Sequence, residues 1–379
     1  MMQRVLLYEF VTSGGCFADC TTLPSESIRR EGAAMLAALA ADFAAVDGVE
    51  TVVMVDIRAK VDLPGCHVEP VRSSAEESAL LSSGSRHADW TIVIAPEFDD
   101  LLRSRCRLVE ESGGRLLGPS SGFVALAADK QRTAERLSSA GVPAPREIAL
   151  DAGSSLPAEF PFPAVLKPRF GAGSQDVRLI QDRAALAESL SALSGPSRLE
   201  PYCPGLAASV ALLCGHAGRF ALLPCRQRLG DDVEFRYLGG ALPLPHESGR
   251  RAVALAERAI AAMPDPFGYV GVDLVLGNEP DGRDDVVIEI NPRLTTSYVG
   301  LRALAKVNLA AAMLAVAAGE PARLSFAPHP LEFDADGTIR TLNKPMCEGV
   351  AGAGGAAEAP AGRAPGLPFG PAPATRRIG

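Results

Sequence analysis

Three polar residues in the second half of the chain form its strongest chemical pattern. Residues 271–275 read GVDLV and residues 287–293 read VIEINPR, so Asp273, Glu289 and Asn291 interrupt two apolar strand patterns. A charge inside a strand is costly to bury unless it is paired or bound to a metal, and Glu289 and Asn291, two positions apart, share one strand face. If the two strands are neighbours, the three side chains converge as oxygen ligands of the kind that Mg²⁺ prefers. A solvent-facing polar strand face is the alternative, and the interleaved apolar residues disfavour it.

A lysine followed by a glycine-rich loop forms a second pattern. Lys167 closes the apolar strand pattern 163–168, and Gly171, Gly173 and Ser174 follow it. Such a loop can place one cation and several backbone N–H groups against a phosphate, because glycine permits close approach. An ordinary glycine turn beside a surface lysine explains this segment equally well. The chain has no GxxxxGK[ST] loop and no N-terminal GxGxxG, which disfavours a dinucleotide-binding domain.

Two further segments are uninformative when each is taken alone, because polar residues are usually on the surface. Lys130 lies in ADKQRT, on a predicted helix over residues 125–140 that stops at Gly141. Glu200 opens the segment EPYCPG, which follows another predicted helix over 182–193. Their order relative to the first two patterns makes them informative.

The first third of the chain shows alternating strand and helix patterns. The strand patterns cover residues 4–8, 51–55, 90–95 and 115–117, and helical periodicity covers 25–45 and 101–109. Strands that alternate with helices predict a parallel sheet with crossover helices. Residues 1–118 are therefore predicted to form an N-terminal α/β domain.

The second half of the chain is richer in strands. Strand patterns cover residues 209–213, 219–223, 270–276 and 286–290, and helices are predicted over 250–262 and 309–318. The tail 349–379 consists mostly of Ala, Gly and Pro. Because this composition cannot bury enough apolar surface to offset the entropy of ordering, the tail is predicted to be disordered.

Composition and charge exclude several classes of protein. The 379 residues carry a formal net charge of −8 and a pI near 5.3, which disfavours a nucleic-acid binder and a polybasic membrane anchor. No apolar run reaches the ~20 residues of a membrane helix and no signal-peptide pattern opens the chain, so we expect a cytoplasmic protein. The eight cysteines are scattered without a CxxC pair, which predicts neither a disulfide framework nor a structural zinc site.

Taken in order, these segments resemble the ATP-grasp superfamily. DKxxT on a helix, the lysine strand with its glycine loop, EPYxxG, GVD and EINPR follow one another over residues 115–310. The resemblance implies an α/β (α+β) ATP-grasp fold, in which an N-terminal parallel-sheet domain precedes two α+β subdomains that clasp ATP. The subdomains are expected at 119–195, with a lid loop, and at 196–330, with the metal site.

The resemblance assigns roles around the nucleotide. Lys130 and Lys167 are expected to bind the ATP phosphates, and Lys167 also to act in catalysis. Glu200 is expected to bind the adenine amino group, and backbone groups of Tyr202 and Cys203 to meet the adenine edge.

It also assigns roles at the transferred phosphate. Residues 171–174 become the lid loop over the triphosphate. Asp273, Glu289 and Asn291 become Mg²⁺ ligands, with Glu289 bridging two ions, and Mn²⁺ can replace Mg²⁺ in such sites. Arg293 is the expected catalytic cation, because a planar guanidinium suits a transferring phosphoryl group.

One position departs from the family pattern. Many members have a glutamate for the ribose hydroxyls soon after the Pro-Gly pair, whereas residues 206–209 read LAAS here. The ribose contact must come from elsewhere, or the nucleotide binds more weakly than usual.

Short segments are similar, within the superfamily, to the tyramine–glutamate ligases of methanofuran and methylofuran assembly in one-carbon metabolism. They read YEFVTSGG at 8–15, CRQ at 225–227, YLGG at 237–240 and NPRLTTSY at 291–298. The resemblance implies an acylphosphate mechanism that joins glutamate to tyramine, with residues 295–298 either docking the amine or merely capping a helix. Ligation of two amino acids, as in D-alanine–D-alanine ligase, and a non-catalytic nucleotide-binding module are the alternatives. The partners are then a small-molecule carboxylate and amine, and a homodimer stays open because dimers are common in the superfamily.

Overall fold

The computed structural model describes residues 2–17, 26–151, 154–155, 159–171, 176–190, 193, 195–230 and 235–342. Gly173, Ser174 and the tail 349–379 lie outside the described residues, so what was predicted for them stays a prediction. Within the described part, no helix is both long enough and apolar enough to cross a membrane.

The apolar runs near the N-terminus form a parallel sheet, which confirms the prediction from strand–helix alternation. Its strands are β1 (Gln3–Glu9), β2 (Val49–Asp56), β3 (His67–Val71) and β4 (Trp90–Ile94). They lie in the order β3-β2-β1-β4, and each neighbouring pair is parallel. Residues 51–56 and 90–94 are buried throughout, as expected where helices cover both faces of a parallel sheet. The strand predicted at 115–117 is reduced to one parallel bridge between Thr91 and Leu116.

Helices α1 (Glu26–Ala44), α2 (Ser74–His87) and α3 (Leu101–Glu111) pack on this sheet, with 3-10 turns at Gly15–Phe17 and Phe98–Asp100. Helix α1 buries the predicted apolar stripe, whose members are Met35, Leu36, Leu39 and Phe43. Ile28, at the start of the same stripe, is 36% exposed. The sequence does not predict α2, because serine and glutamate dominate it; the Ser73 side chain caps it by accepting a hydrogen bond from the Glu76 N–H at 3.2 Å.

Two short helices, α4 (Ser121–Ala127) and α5 (Lys130–Ser139), replace the single helix predicted over 125–140. The break falls at Asp129, whose side chain accepts a hydrogen bond from the Arg132 N–H at 3.2 Å and so caps α5. Helix α5 ends at the predicted stop, where Gly141 has φ +68°. Lys130 is therefore the first residue of a helix rather than an interior one.

A small antiparallel sheet follows α5. Its strands are β5 (Ile148–Leu150), β6 (Ala164–Pro168), β7 (Arg178–Ile180) and β8 (Ser197–Pro201), in the order β5-β8-β6-β7. Helix α6 (Arg183–Leu190) covers it and helps to form a separate apolar core, whose buried residues are Leu150, Ala164, Leu166, Ile180, Leu186 and Leu199.

A larger antiparallel sheet forms most of the second half. Its strands are β9 (Leu206–Gly215), β10 (Gly218–Ala221), β11 (Cys225–Leu229), β12 (Tyr237–Leu242), β13 (Gly268–Leu276), β14 (Val286–Asn291), β15 (Leu331–Asp334) and β16 (Ile339–Thr341). The order is β14-β13-β9-β11-β12-β15-β16, with β10 paired to β9. Helices α7 (His246–Ala262), α8 (Ser297–Leu304) and α9 (Leu309–Ala317) pack against it. Strands β15 and β16 extend the sheet past residue 330. The domain limits predicted at residues 118, 195 and 330 stay predictions.

Helix α1, which packs on the parallel sheet, is hydrogen-bonded to helix α8, which packs on the larger sheet. Its Asp42 carboxylate accepts hydrogen bonds from the Tyr298 hydroxyl at 2.6 Å and from Arg302 Nη2 at 2.8 Å. The Asp42 backbone carbonyl accepts a third from the Asn308 side chain at 2.7 Å. Apolar residues of α1, α8 and α9 share one buried cluster, so the N-terminal and C-terminal segments build a common core.

Candidate active site

The pairing of β13 with β14 brings the three predicted metal ligands together. Asp273 lies directly opposite Glu289, and Asn291 lies opposite Gly271. The Asn291 side-chain amide donates to Asp273 Oδ2 at 3.0 Å. A Cβ on Gly271 would lie 2.8 Å from the Thr295 methyl group, so only glycine leaves room for the loop that follows Asn291.

Lys130 approaches this cluster from the start of α5. Its Nζ lies 2.8 Å from Glu289 Oε2 and donates to the Gly171 carbonyl at 2.9 Å. The capping residue Asp129 also accepts two hydrogen bonds from Arg169, at 2.8 and 2.6 Å. The helix that presents Lys130 is thus tied to the strand end from which the glycine loop departs.

Lys167 is buried on β6 and pairs with Glu200 on the adjacent strand β8. Its Nζ lies 2.6 Å from Glu200 Oε1. The other Glu200 oxygen lies 3.0 Å from Arg198 Nη2, which also contacts Glu147 Oε2 at 2.5 Å. Burial lowers the pKa of Lys167, and the Glu200 carboxylate opposes this shift. The predicted adenine-binding carboxylate is therefore already paired with two buried cations, one of which, Arg198, the sequence reasoning missed.

The two facing carboxylates have opposite pKa shifts. Desolvation and then the nearby Glu289 raise the pKa of Asp273 to about 7. Burial alone would raise the pKa of Glu289, but the ammonium groups of Lys130 and Lys167 outweigh it and lower that pKa to about 2. Of these two carboxylates, Glu289 has an ion-pair partner and Asp273 has none among the described residues.

Arg293 is held from the N-terminal sheet. Its Nε and Nη2 donate to the two carboxylate oxygens of Glu97 at 2.9 and 3.2 Å. Burial lowers the pKa of Arg293, but Glu97 more than compensates and raises it above its usual value. Glu97 was missed from the sequence; the available signal is an acidic residue just beyond the carboxyl end of β4, where ligands gather in open α/β sheets.

One cavity of about 490 Å³ collects the predicted site residues that the structure describes. They are Lys130, Lys167, Gly171, Glu200, Tyr202, Cys203, Asp273, Glu289, Asn291 and Arg293. The cavity is also lined by Ser27, Glu31 and Arg236, which the sequence did not single out, and by Gln227, Tyr237 and Thr296, which lie in the segments that resemble the tyramine–glutamate ligases. The two antiparallel sheets and the start of α1 thus surround a space large enough for a ligand.

Comparison with known families agrees with this architecture. A pre ATP-grasp 3 domain model matches residues 49–124, and an ATP-grasp domain model matches residues 127–297. The chain is an ATP-grasp protein. The matched ranges contain Lys130, Lys167, Glu200, Asp273 and Glu289.

Individual relatives support the assignment of this chain to the ATP-grasp proteins. The tyramine–L-glutamate ligase of Methanocaldococcus jannaschii is 24% identical over 305 residues, which cover 80% of this chain and 86% of the relative. An ATP-grasp superfamily protein from Archaeoglobus fulgidus superposes with a TM-score of 0.67 at 24% identity, covering 88% of this chain and 92% of the other. N5-carboxyaminoimidazole synthetase from Staphylococcus aureus, solved with ADP, has a TM-score of 0.63 at 15% identity, with 87% and 81% covered. The two solved structures show that the fold is shared, and the family models together with the ligase relative support the predicted enzyme class, an ATP-dependent carboxylate–amine ligase.

Proposed function

We propose that the protein is an ATP- and Mg²⁺-dependent ligase that joins glutamate to tyramine through an acylphosphate intermediate. One observation carries the proposal: oxygen ligands and cations of the types required for phosphoryl transfer line a common cavity. They are Asp273, Glu289, Asn291, Lys130, Lys167 and Arg293. Phosphoryl transfer depends mainly on positioning and on stabilising charge, which is what this set can supply.

The donor set on β13 and β14 fits Mg²⁺. It offers two carboxylates and one amide oxygen, and in the described part of the chain no cation forms an ion pair with Asp273. Mg²⁺ prefers oxygen ligands and usually keeps positions for water and substrate phosphate oxygens. When bound, the ion would neutralise phosphate charge, with Asp273, Glu289 and Asn291 as its protein ligands.

The lysines would bind the phosphates without leaving their present partners. An ammonium group has three N–H donors, and Lys130 uses two of them, toward Glu289 and the Gly171 carbonyl. Lys167 points from the buried strand β6 into the same cavity. Both cations therefore retain donors for triphosphate oxygens.

The reaction then has two steps. A glutamate carboxylate oxygen attacks the γ-phosphorus and the bond to the β–γ bridging oxygen breaks, which gives an acylphosphate and ADP. The tyramine nitrogen attacks the acyl carbon, loses a proton and expels phosphate, which gives an amide. Arg293, fixed by Glu97, stabilises the charge on the transferring phosphoryl group, and enclosure in the cavity protects the acylphosphate from water.

The choice of substrates rests on the named relative and on the short segments shared with that family. Ligation of other amino acids is the second candidate, because Arg236, which lines the cavity, suits the carboxylate of any amino acid and not of glutamate alone. A non-catalytic nucleotide-binding module is the third, and the nearly complete set of site residues argues against it.

The test is ADP release with ATP, Mg²⁺ and glutamate, with and without tyramine, followed by mass analysis of the product. We expect tyramine-dependent ADP and the mass of glutamyl-tyramine. ADP that requires a different amine would keep the mechanism and discard tyramine. Binding of ATP without turnover across a broad panel of amines and amino acids would overturn the ligase proposal.

A further inference from the structure

The cavity contains one carboxylate that the proposed phosphoryl transfer does not use. Four carboxylates of the described residues line it, and three are already assigned: Glu200 pairs with Lys167, Glu289 pairs with Lys130, and Asp273 is bonded to Asn291. The fourth is Glu31, which is half-buried on helix α1 of the N-terminal domain.

Glu31 is fixed in place but not neutralised. Its Oε1 accepts a hydrogen bond from the Thr296 hydroxyl at 2.5 Å. Among the described residues it has no ion-pair partner, since the nearby Arg293 is engaged by both oxygens of Glu97. The Arg293 charge attracts Glu31 without forming an ion pair with it, so this carboxylate still favours the binding of a further positive group.

The position of Glu31 is at the end of the cavity where the second substrate must react. Thr296 lies in the loop that follows Asn291 and contains Arg293, so its hydroxyl ties Glu31 to the segment that carries the proposed phosphoryl contact. The Lys167–Glu200 pair lies on the separate small sheet. Glu31 is therefore linked to the loop that carries the proposed phosphoryl contact, and not to the strands that carry the proposed adenine contacts.

The surroundings of Glu31 suit an organic ammonium ion. Ile28, one helical turn before it, is 36% exposed and lines the cavity, as does the ring of Tyr237. These side chains offer apolar surface to the carbon skeleton of a ligand whose charged end reaches the carboxylate. Primary alkyl amines have a pKa of about 10 and arrive protonated at neutral pH.

We propose that Glu31 binds the ammonium group of the acceptor amine and orients its nitrogen toward the acylphosphate; one ammonium proton passes to solvent before the neutral nitrogen attacks, and a second leaves as the amide forms. This inference rests on the proposed function and extends it, because it assigns the amine site to the N-terminal domain. It also explains why an exposed apolar residue precedes Glu31 on α1.

The central experiment compares the wild type with Glu31→Gln in two reactions. The first is amide formation at varied tyramine, where loss of a charge-assisted hydrogen bond should raise the KM for tyramine by about 10- to 100-fold. The second is trapping of the acylphosphate with hydroxylamine, which is uncharged at mildly alkaline pH and needs no ammonium site. Hydroxamate formation and the KM values for ATP and glutamate should stay within about twofold of the wild type.

Glu26→Gln is the matched control. Glu26 lies on the same helix and forms an exposed ion pair with Arg30, away from the cavity lining. The same charge change there should leave all KM values unaltered. Glu31→Asp, which keeps the charge, should recover part of the tyramine affinity.

Competition by an uncharged analogue, measured on the wild type and on Glu31→Gln, gives a second readout that does not depend on the absolute activity of the variant. Tyrosol, the alcohol analogue of tyramine, has no positive charge, so it should compete with tyramine weakly in the wild type. In Glu31→Gln the preference for tyramine over tyrosol should largely disappear.

The outcomes separate the two proposals. Hydroxamate formation at the normal rate with an unchanged KM for tyramine in Glu31→Gln overturns the assignment of Glu31 alone. So does an equal loss of both reactions, which would make Glu31 a structural residue. A wild type that yields neither ADP nor hydroxamate overturns the proposed function, and this inference with it.

Discussion

Glu97 holds the guanidinium of Arg293 through both carboxylate oxygens, at 2.9 and 3.2 Å, although 196 residues separate the two in the chain. Glu97 lies just beyond the carboxyl end of β4, and Arg293 just beyond β14. The parallel sheet thereby fixes the direction of a cation that belongs to the larger sheet.

Replacing Glu97 by Gln should therefore act through Arg293. We expect kcat to fall by about 10- to 100-fold with little change in the KM for ATP, because a misplaced cation weakens the transition state more than nucleotide binding. Steady-state kinetics measure both constants. Glu69→Gln, on the edge strand β3 of the parallel sheet, is the control and should leave them unchanged. A raised KM with a normal kcat would instead assign Arg293 to ground-state binding.

Asp273→Asn and Glu289→Gln should each reduce ADP formation by about 10²-fold or more, because each removes a carboxylate from the phosphoryl-transfer centre. The measurement is ADP release over a range of Mg²⁺ concentrations. Asp281→Asn, on the exposed loop between β13 and β14, is a control of the same chemistry and should retain full activity. Normal turnover in either site variant would refute the metal assignment.

Asp129→Asn should give a pH-dependent loss of stability. Burial alone would raise the pKa of the Asp129 carboxyl, but the Arg169 guanidinium and the Arg132 N–H outweigh it and lower the pKa. A lowered folded-state pKa contributes stability above the ordinary aspartate value of about 3.9, and this contribution disappears as the pH falls through the lower folded value. Asparagine caps a helix about as well as aspartate, so the variant isolates the ion pair.

Urea unfolding at a series of pH values measures this effect. The difference in unfolding free energy between the wild type and Asp129→Asn should be largest near neutrality and shrink below about pH 4. A difference that stays constant with pH would show that the cap, rather than the charge, is what the substitution disturbs.

Gly239→Ala should destabilise the larger sheet far more than Gly218→Ala. Both glycines have positive φ, +133° and +126°. A Cβ at Gly239 would lie 2.0 Å from the Phe333 carbonyl oxygen, whereas at Gly218 the nearest atom is 4.0 Å away. Backbone strain alone costs about 1–3 kcal/mol, and forcing β12 away from β15 should add about 1–3 kcal/mol. Equal losses by urea unfolding would contradict this account of the strand pairing.

The core of the site could be predicted because its signals are local. Asp273, Glu289 and Asn291 stand out in strands whose two-residue period decides which side chains share a face. Lys167 stands out because an apolar strand ends there and glycines follow. The parallel N-terminal sheet could also be predicted, because the alternation of strands and helices is visible along the chain itself.

The remaining walls depend on contacts that no local pattern encodes. Glu31 meets Thr296 across 265 residues, and Glu97 meets Arg293 across 196. Strands β11 and β12 were hidden by alternating arginines and by a pair of glycines, which have weak strand preference. The break before Lys130 escaped because a capping aspartate and an interior one look alike in a helical pattern.

Helix α1 lies in a core that both ends of the chain build, because its apolar stripe packs with α8 and α9 and its Asp42 is hydrogen-bonded by α8. A gene cut at residue 118 would encode two pieces that each expose the surface meant for the other. Such pieces should regain function only when produced together. A chimera that takes its N-terminal domain from a relative should likewise be active only if α8 and α9 come from the same relative.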